Sequence, residues 1–343
     1  MSSSETTPLH DVSQARSAQQ KSNDATTVVY IAGSGRSGST LLERMLGGLP
    51  GFVNAGEIND MFRRMARYDE LCGCGRAFST CDFWVGVGER AFGGWNRELI
   101  DEAVMLQSAV VRQRYLGRLM QPRLAKPGYL AQLERYGEIH ARLYAAIVAQ
   151  SGARVVVDAS KGASFAMAVS RAAAVDLRMI HLVRDARGVA FSWAKANVSR
   201  PHGDGPRATM HRFNPLETAG RWAVLQAEIA ASRRYMQASV LLRYEDLVTS
   251  PAAEIVRCVQ ALGLPIDPTH DLDFIDGRMV DLSQSHGLSG NPSRFRSGPQ
   301  ELRADEQWRT DMARWERLST TAIAAGSLAR YGYLPLQRSK TAS

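Results

Sequence analysis

The sequence predicts an α/β protein with a mostly parallel sheet flanked by helices, and three observations carry that expectation. Apolar runs of strand length recur at residues 28–32, 155–157, 179–183 and 240–242. Each leads into a stretch with helical spacing of apolar residues, which begins after the glycine cluster at 33–38, after Lys161, after Asp185 and after Pro251. The runs are continuous rather than alternating. Strands joined by helical crossovers lie parallel, and a parallel sheet covered on both faces produces that continuity.

Taken in order, residues 1–27 contain no aromatic side chain and are rich in Ser, Thr, Gln and Asp, which predicts a disordered tail. They have neither the basic start nor the apolar stretch of a secretory signal, so the expected compartment is the cytoplasm. The folded body is expected as one domain over 28–335. It opens on the β-branched strand Val28, Val29, Tyr30, Ile31, passes a glycine turn, and continues as a helix bearing Leu41, Leu42, Met45 and Leu46. Residues 50–57, with a proline, an asparagine and two glycines, read as a turn rather than a strand. A helical insertion is expected at about 58–150; it holds a Cys/Gly segment at 71–84 and an amphipathic helix with Leu133, Leu143 and Ile147. Residues 265–299 are rich in Gly, Pro, Asp and Ser and too long for an inert connection, which points to a lid or binding segment. Residues 336–343 read as a C-terminal tail.

With 343 residues, 45% hydrophobic and 22% charged, the chain has the composition of a globular protein with a core of its own. Four cysteines exclude a disulfide-stapled extracellular scaffold. No apolar run approaches the ~20 residues that span a bilayer. The net charge of +8 favours anionic ligands, but the arginines are spread along the chain rather than gathered into the stripe that binds nucleic acid.

The turn Gly33-Ser34-Gly35-Arg36-Ser37-Gly38-Ser39-Thr40 lies between a strand and a helix, where backbone N–H groups and the positive helix end cradle an anion. Two phosphate-binding patterns overlap in it. The nucleoside-triphosphate pattern lacks its lysine, because Ser39 follows the last glycine. The dinucleotide pattern wants a second strand that ends in an acid, and the candidate, Glu57, follows the turn-like stretch. Arg36 is the cation within the turn itself.

Taken together, IAGSGRSGSTLLERML at 31–46, GE at 56–57, DASK at 158–161, LVRDARGVAFSW at 182–193, YEDL at 244–247 and GNPSRF at 290–295 make a specific set. In this order they resemble the sulfotransferase superfamily that uses 3′-phosphoadenosine-5′-phosphosulfate (PAPS), over residues 28 to about 330. The likeness is to the bacterial branch related to carbohydrate and tyrosyl-protein sulfotransferases. It implies a P-loop NTPase-like domain, PAPS as the sulfuryl donor, no metal in the transfer, and a small-molecule or glycan acceptor. A sugar, a lipid-linked glycan, a phenol or a peptide tyrosine all satisfy it, with residues 58–150 and 197–215 expected to shape the acceptor pocket. PAPS has no γ-phosphate, which accounts for the missing lysine. The alternative is a degenerate P-loop nucleotide-binding protein or a kinase-like enzyme, which would prefer ATP with magnesium.

The resemblance assigns Gly35, Arg36, Ser37, Gly38, Ser39 and Thr40 to the phosphosulfate cradle and Lys161 to the sulfuryl group or leaving phosphate. Arg184 and Ser192, eight residues apart, become the 3′-phosphate clamp. Asp185 reads as an acid at a helix N-terminus. Glu57 is the expected general base, against a purely structural role as a helix N-terminal acid or a partner of Arg36, and His286 is a second acid/base candidate. Arg294, Phe295 and Gly298 are expected to close over the nucleotide; Trp193 and Trp308 either stack on adenine or belong to the core. Cys72, Cys74 and Cys81 lack both the usual C-x2-4-C spacing and a histidine nearby in sequence, so the expectation is a structural turn of buried or reversibly bridged thiols with no bound metal.

Overall fold

The computed structural model describes residues 25–195, 199–200, 208–209 and 213–334. The expected tails, but for residues 25–27, lie outside these, as do His202, Arg207, His211 and Arg212 of the 197–215 loop. The strand β1 (Thr26–Gly33) is buried from Val28 to its end and leads through the glycine turn into α1 (Ser39–Leu46) and β2 (Phe52–Gly56). Two short helical turns, Ile58–Asp60 and Met61–Ala66, open a helical layer of α2 (Asp82–Phe92), α3 (Arg97–Val110), α4 (Leu116–Met120) and α5 (Pro127–Ser151). The strand–helix alternation resumes with β3 (Val155–Lys161), α6 (Ala163–Val169), β4 (Val175–Val183) and α7 (Ala186–Ala194). After the small antiparallel pair β5 (Ser199–Arg200) and β6 (Ala208–Thr209) come α8 (Pro215–Ser232), β7 (Ala238–Arg243), α9 (Tyr244–Thr249) and α10 (Pro251–Ala261). Strands β8 (Ile275–Asp276), β9 (Met279–Leu282) and β10 (Gly298–Glu301) form a second sheet, followed by α11 (Trp308–Asp311) and α12 (Arg314–Arg330).

The central sheet has the order β2-β3-β1-β4-β7 and every pair in it is parallel. Side chains of a strand point alternately to its two faces. Val28, Tyr30 and Ala32 therefore pack with Leu143 and Ile147 of α5 and Phe165 of α6, while Val29 and Ile31 pack with Leu42 and Met45 of α1 and Ile255 and Val259 of α10. Helices on both faces bury β1 from Val28 to Gly33. No described helix is long and apolar enough to cross a membrane.

Two expectations are corrected here. Residues 52–56, read as turn, are an edge strand paired to β3 in the register Phe52 to Val155 and Asn54 to Val157. Asn, Ala and Gly form strands poorly, and the partner that organises them lies a hundred residues away, so context decides what propensity does not. β2 is also not β1's neighbour: β3 stands between them, unlike the adjacent first two strands of a dinucleotide fold. Residues 265–299, read as a loop, contain β8 and β9, and β10 pairs with β9 from Gly298 opposite Leu282 onwards.

Because the five central strands run in one direction, their carboxyl ends share one edge. That edge carries the glycine turn after β1, Glu57 after β2, Lys161 at the end of β3, Arg184 after β4 and Tyr244 after β7. Ligands of open parallel sheets bind in the crevice outside such ends.

Candidate active site

The glycine turn is shaped by its own short side chains. The Ser37 hydroxyl, fully buried, donates to the Ser34 carbonyl at 2.6 Å. Gly38 adopts φ +91°, and a Cβ there would come within 2.5 Å of the Tyr244 ring. Arg36, also left-handed at φ +69°, sets its guanidinium 5.4 Å from the centre of the Trp193 ring. A cavity of about 450 Å³ opens above the turn. Gly35, Arg36, Gly38, Ser39 and Thr40 line it together with Glu57, Lys161, Arg184, Ser192 and Trp193.

Lys161 is positioned by the buried Asp158 at the heart of the DASK segment. Asp158 accepts from the Tyr144 hydroxyl at 2.6 Å, from the Ser160 backbone N–H at 2.9 Å and from the Ser160 hydroxyl. Ser160 in turn accepts from the Asn59 N–H at 2.9 Å, which ties β3 to the turn that follows Glu57. Burial pushes the Asp158 carboxyl up to about 6, against the hydrogen bonds it receives. With the strand end held this way, Lys161 turns out at φ +70° and its Nζ meets Oε1 of Glu57 at 2.5 Å. On the other side, Leu288 docks on the end of β2: its N–H donates to Ala55 at 3.1 Å and its carbonyl accepts from Glu57 at 2.8 Å. Gly290 then passes so near Glu57 that a Cβ would stand 2.9 Å from Oε1.

Arg184 is nearly buried. It donates to the Arg36 carbonyl at 2.9 Å and pairs with the Asp305 carboxylate at 3.1 Å, with its guanidinium 4.6 Å from the Tyr244 ring centre. Glu245 of the YEDL segment accepts from the Asp185 N–H at 3.1 Å, and Asp185 accepts from the Arg187 N–H at 2.8 Å as the N-cap of α7. Ser192 lies further along α7 on the cavity wall.

Several expected site residues are not brought to this cavity. Ser37 faces inward and braces the turn, as its hydrogen bond requires. His286 sits among Cys72 and Cys81 with its ring stacked on Phe83, so it is no reserve acid or base for Glu57. Arg294 is buried, donates to the carbonyls of Gly290 and Leu71 and stacks on Phe295, and Gly298 starts β10; from that loop it is Gly290, Asn291 and Ser293 that reach the cavity. Trp308 packs with Ala190 and Met312, a core role, whereas Trp193 faces the cavity.

Asp305 and Tyr244 line the site with no motif to announce them beyond the tyrosine that opens YEDL. Two more residues, both on α1, act from just outside it. Arg44 donates to the carbonyls of Ser283 at 2.7 Å and Ser293 at 3.2 Å and so anchors the 283–293 loop from below. Glu43 is buried, and desolvation pushes its carboxyl up to about 8, with Lys161 opposing the shift and Glu57 adding to it. In the unfolded chain the same group titrates near 4.5. Folding therefore takes up a proton between these values, and the stability this holds is complete below the lower one and lost as pH rises through the upper. Burial depresses His140 and His181 to about 4, and their contribution is the reverse, lost only as pH falls from near 6.5. Glu43 alone is expected to contribute a loss on the order of 2 kcal/mol, a few degrees of melting temperature, between pH 6.5 and 8. Glu43→Gln should flatten that slope in thermal melts across the range; an unchanged slope would assign the loss to another group.

Residues 26–282 match the family described as "Sulfotransferase domain". Carbohydrate sulfotransferase 5 of Homo sapiens is 24% identical over 183 residues, which take in 48% of this chain and only 41% of that relative's length. Among solved structures, the sulfotransferase domain from the curacin biosynthetic pathway aligns over 89% of this chain and 98% of its own, at 17% identity and a TM-score of 0.45. Sulfotransferase STF1 from Mycobacterium tuberculosis H37Rv aligns over 76% of this chain and 73% of its own, at 13% identity and a TM-score of 0.38. The family match runs from the first residue of β1 to the last of β9 and takes in the glycine turn, Glu57, Lys161, Arg184 and Ser192, so the chain belongs to the sulfotransferase-domain family.

Proposed function

We propose that this protein moves the sulfuryl group of PAPS to the hydroxyl of a small-molecule or glycan acceptor and releases adenosine 3′,5′-bisphosphate. The observation that carries the reading is the convergence, in one cavity, of an amide-rich turn without a P-loop lysine, a Glu57–Lys161 pair and the nearly buried Arg184. PAPS has two anionic ends, and the residues present suit both. Arg36 and the amides of Gly38, Ser39 and Thr40 would hold the 5′-phosphosulfate; Arg184 and Ser192 would hold the 3′-phosphate. The volume of about 450 Å³ falls within the ~300–1,000 Å³ usual for small-molecule sites.

In this reading Glu57 takes the acceptor proton as the oxygen attacks sulfur and the bond from sulfur to the phosphate oxygen breaks. Lys161 then balances the charge left on the phosphate. Positioning and electrostatics are the main demands of such an in-line transfer. A cytoplasmic location belongs to the same proposal, in keeping with four cysteines that are all free of disulfides.

Thermal stabilisation by nucleotides tests the donor. Adenosine 3′,5′-bisphosphate at 100 times its Kd should stabilise by about 2.7 kcal/mol without added magnesium. Stabilisation by ATP with magnesium instead, and none by the bisphosphate, would favour the kinase-like alternative. The acceptor is then sought by incubation with mass-tagged PAPS and a producing-cell extract.

A further inference from the structure

Three cysteines and one histidine meet away from the cavity. Cys72 and Cys74 lie in a tight turn in which the Gly75 N–H donates to the Cys72 carbonyl at 2.9 Å, with Gly75 left-handed at φ +87°. Cys81 stands at the N-terminus of α2. His286 arrives from the other end of the chain, 205 residues after Cys81, with Nδ1 turned to the sulfurs. The Cys74 and Cys81 sulfurs are 3.7 Å apart, and so are those of Cys81 and Cys72. Nδ1 lies 3.3 Å from the Cys81 sulfur and 3.6 Å from that of Cys72. All four atoms fall within 4.8 Å of one another.

Four of the six spacings, those that join Cys81 to its three partners and Cys72 to His286, are the spacings of a tetrahedron. Ligands at about 2.3 Å for sulfur and about 2.0–2.1 Å for nitrogen stand roughly 3.7 Å apart from sulfur to sulfur and roughly 3.5 Å from sulfur to nitrogen. Three soft thiolates with one imidazole select zinc among the common divalent ions, and four protein ligands leave no open position. We propose that Cys72, Cys74, Cys81 and His286 bind one structural zinc ion. The proposal departs from the expectation of metal-free thiols, which rested on the Cys spacing and on the absence of a nearby histidine; the fourth ligand is near in space and remote in sequence.

The ion would act as a clasp. Phe83 stacks on the His286 ring at 4.7 Å between centres, and Trp84 donates to the His286 carbonyl at 2.9 Å. The Gly73 N–H donates to Gly287 at 3.1 Å. Immediately beyond, Leu288 docks on β2 and Gly290 passes Glu57, so the metal would fasten the loop that walls the cavity to the segment before α2. Binding converts three thiols to thiolates and releases their protons, with no change in oxidation state.

The test is metal analysis of the full chain, expressed with zinc and purified without chelator. About one zinc per chain is expected in wild type and in Cys258→Ser, whose thiol lies outside the cluster. Cys74→Ser and His286→Ala should hold at least tenfold less, and His286→Cys, which keeps four ligands, should regain it. Cobalt in place of zinc should show the intense visible absorption of a tetrahedral thiolate site, and stripping the metal should lower the melting temperature. Should Cys74→Ser or His286→Ala fail to fold, wild type still decides: reduced, metal-free protein must take up one equivalent of zinc against a competing chelator. No uptake by wild type, a disulfide within the cluster in its place, or full zinc content in folded Cys74→Ser and His286→Ala would each overturn the proposal. The readout is metal rather than turnover, so a wrong donor assignment leaves it untouched.

Discussion

Glu57→Gln is expected to lower kcat by about 10²–10⁴-fold, the usual contribution of a positioned general base, while the Kd for adenosine 3′,5′-bisphosphate stays within a few-fold of wild type. Glutamine preserves the length and hydrogen-bonding reach of the side chain but cannot accept the proton. The geometry sharpens the test, because Glu57 is bound on both sides: Lys161 meets its carboxylate at 2.5 Å and Leu288 accepts from its backbone N–H at 2.8 Å. The backbone contact survives the substitution, so the loop should stay docked. What is lost is the ion pair, and a freed Lys161 is expected to hold a nucleotide phosphate as well as before or better. Steady-state kinetics beside calorimetric nucleotide binding separate the two roles. If Glu57 only pairs with Lys161, melting temperature falls and most of the turnover survives, which would remove it as the base. His286 would not replace it, being held among cysteines.

Arg184→Ala is expected to weaken binding of 3′-phosphorylated nucleotides by about 30-fold to several thousand-fold, the range for truncating a buried charged partner. Adenosine 5′-phosphosulfate, which lacks the 3′-phosphate, should lose much less. Ser192→Ala should show the same preference at smaller size, since a neutral hydroxyl bond is weaker than a charge-assisted one. Arg184 already holds the Asp305 carboxylate at 3.1 Å, so a phosphate must compete with that acid for the guanidinium. Asp305→Asn therefore changes affinity in the opposite direction and should tighten the 3′-phosphorylated ligand. Isothermal titration with both nucleotides decides. An equal loss for both in Arg184→Ala would mean that its bond to the Arg36 carbonyl, which steadies the glycine turn, is its whole contribution.

What could be read from the sequence is local in the chain. A β-branched run, a glycine cluster and a helical pattern follow one another over residues 28–46, and their geometry depends on neighbours a few positions away. The same holds for Lys161 at a strand end and for Arg184 and Ser192, just before and near the end of the helix that follows β4. A parallel sheet then gathers these strand ends at one edge without further instruction. The strand β2 escaped this reading because its pattern is weak and its hydrogen bonds come from β3.

The remaining features belong to distance and burial. Glu43 looks like an ordinary acid on an amphipathic helix until the sheet and the 283–293 loop remove it from water, and only then does its carboxyl rise to about 8. Arg294 sits in a motif and points away from the cavity, while Asp305 sits in none and faces it. By itself the sequence determined the alternation of strands and helices, the glycine turn after β1 and the charged residues at the ends of β3 and β4, because backbone hydrogen bonding and side-chain periodicity act over short spans. Only the tertiary structure decided that Glu57 meets Lys161, that Asp305 meets Arg184, and that His286 joins Cys72 across 214 residues, because such meetings depend on how distant segments pack, which no local pattern encodes.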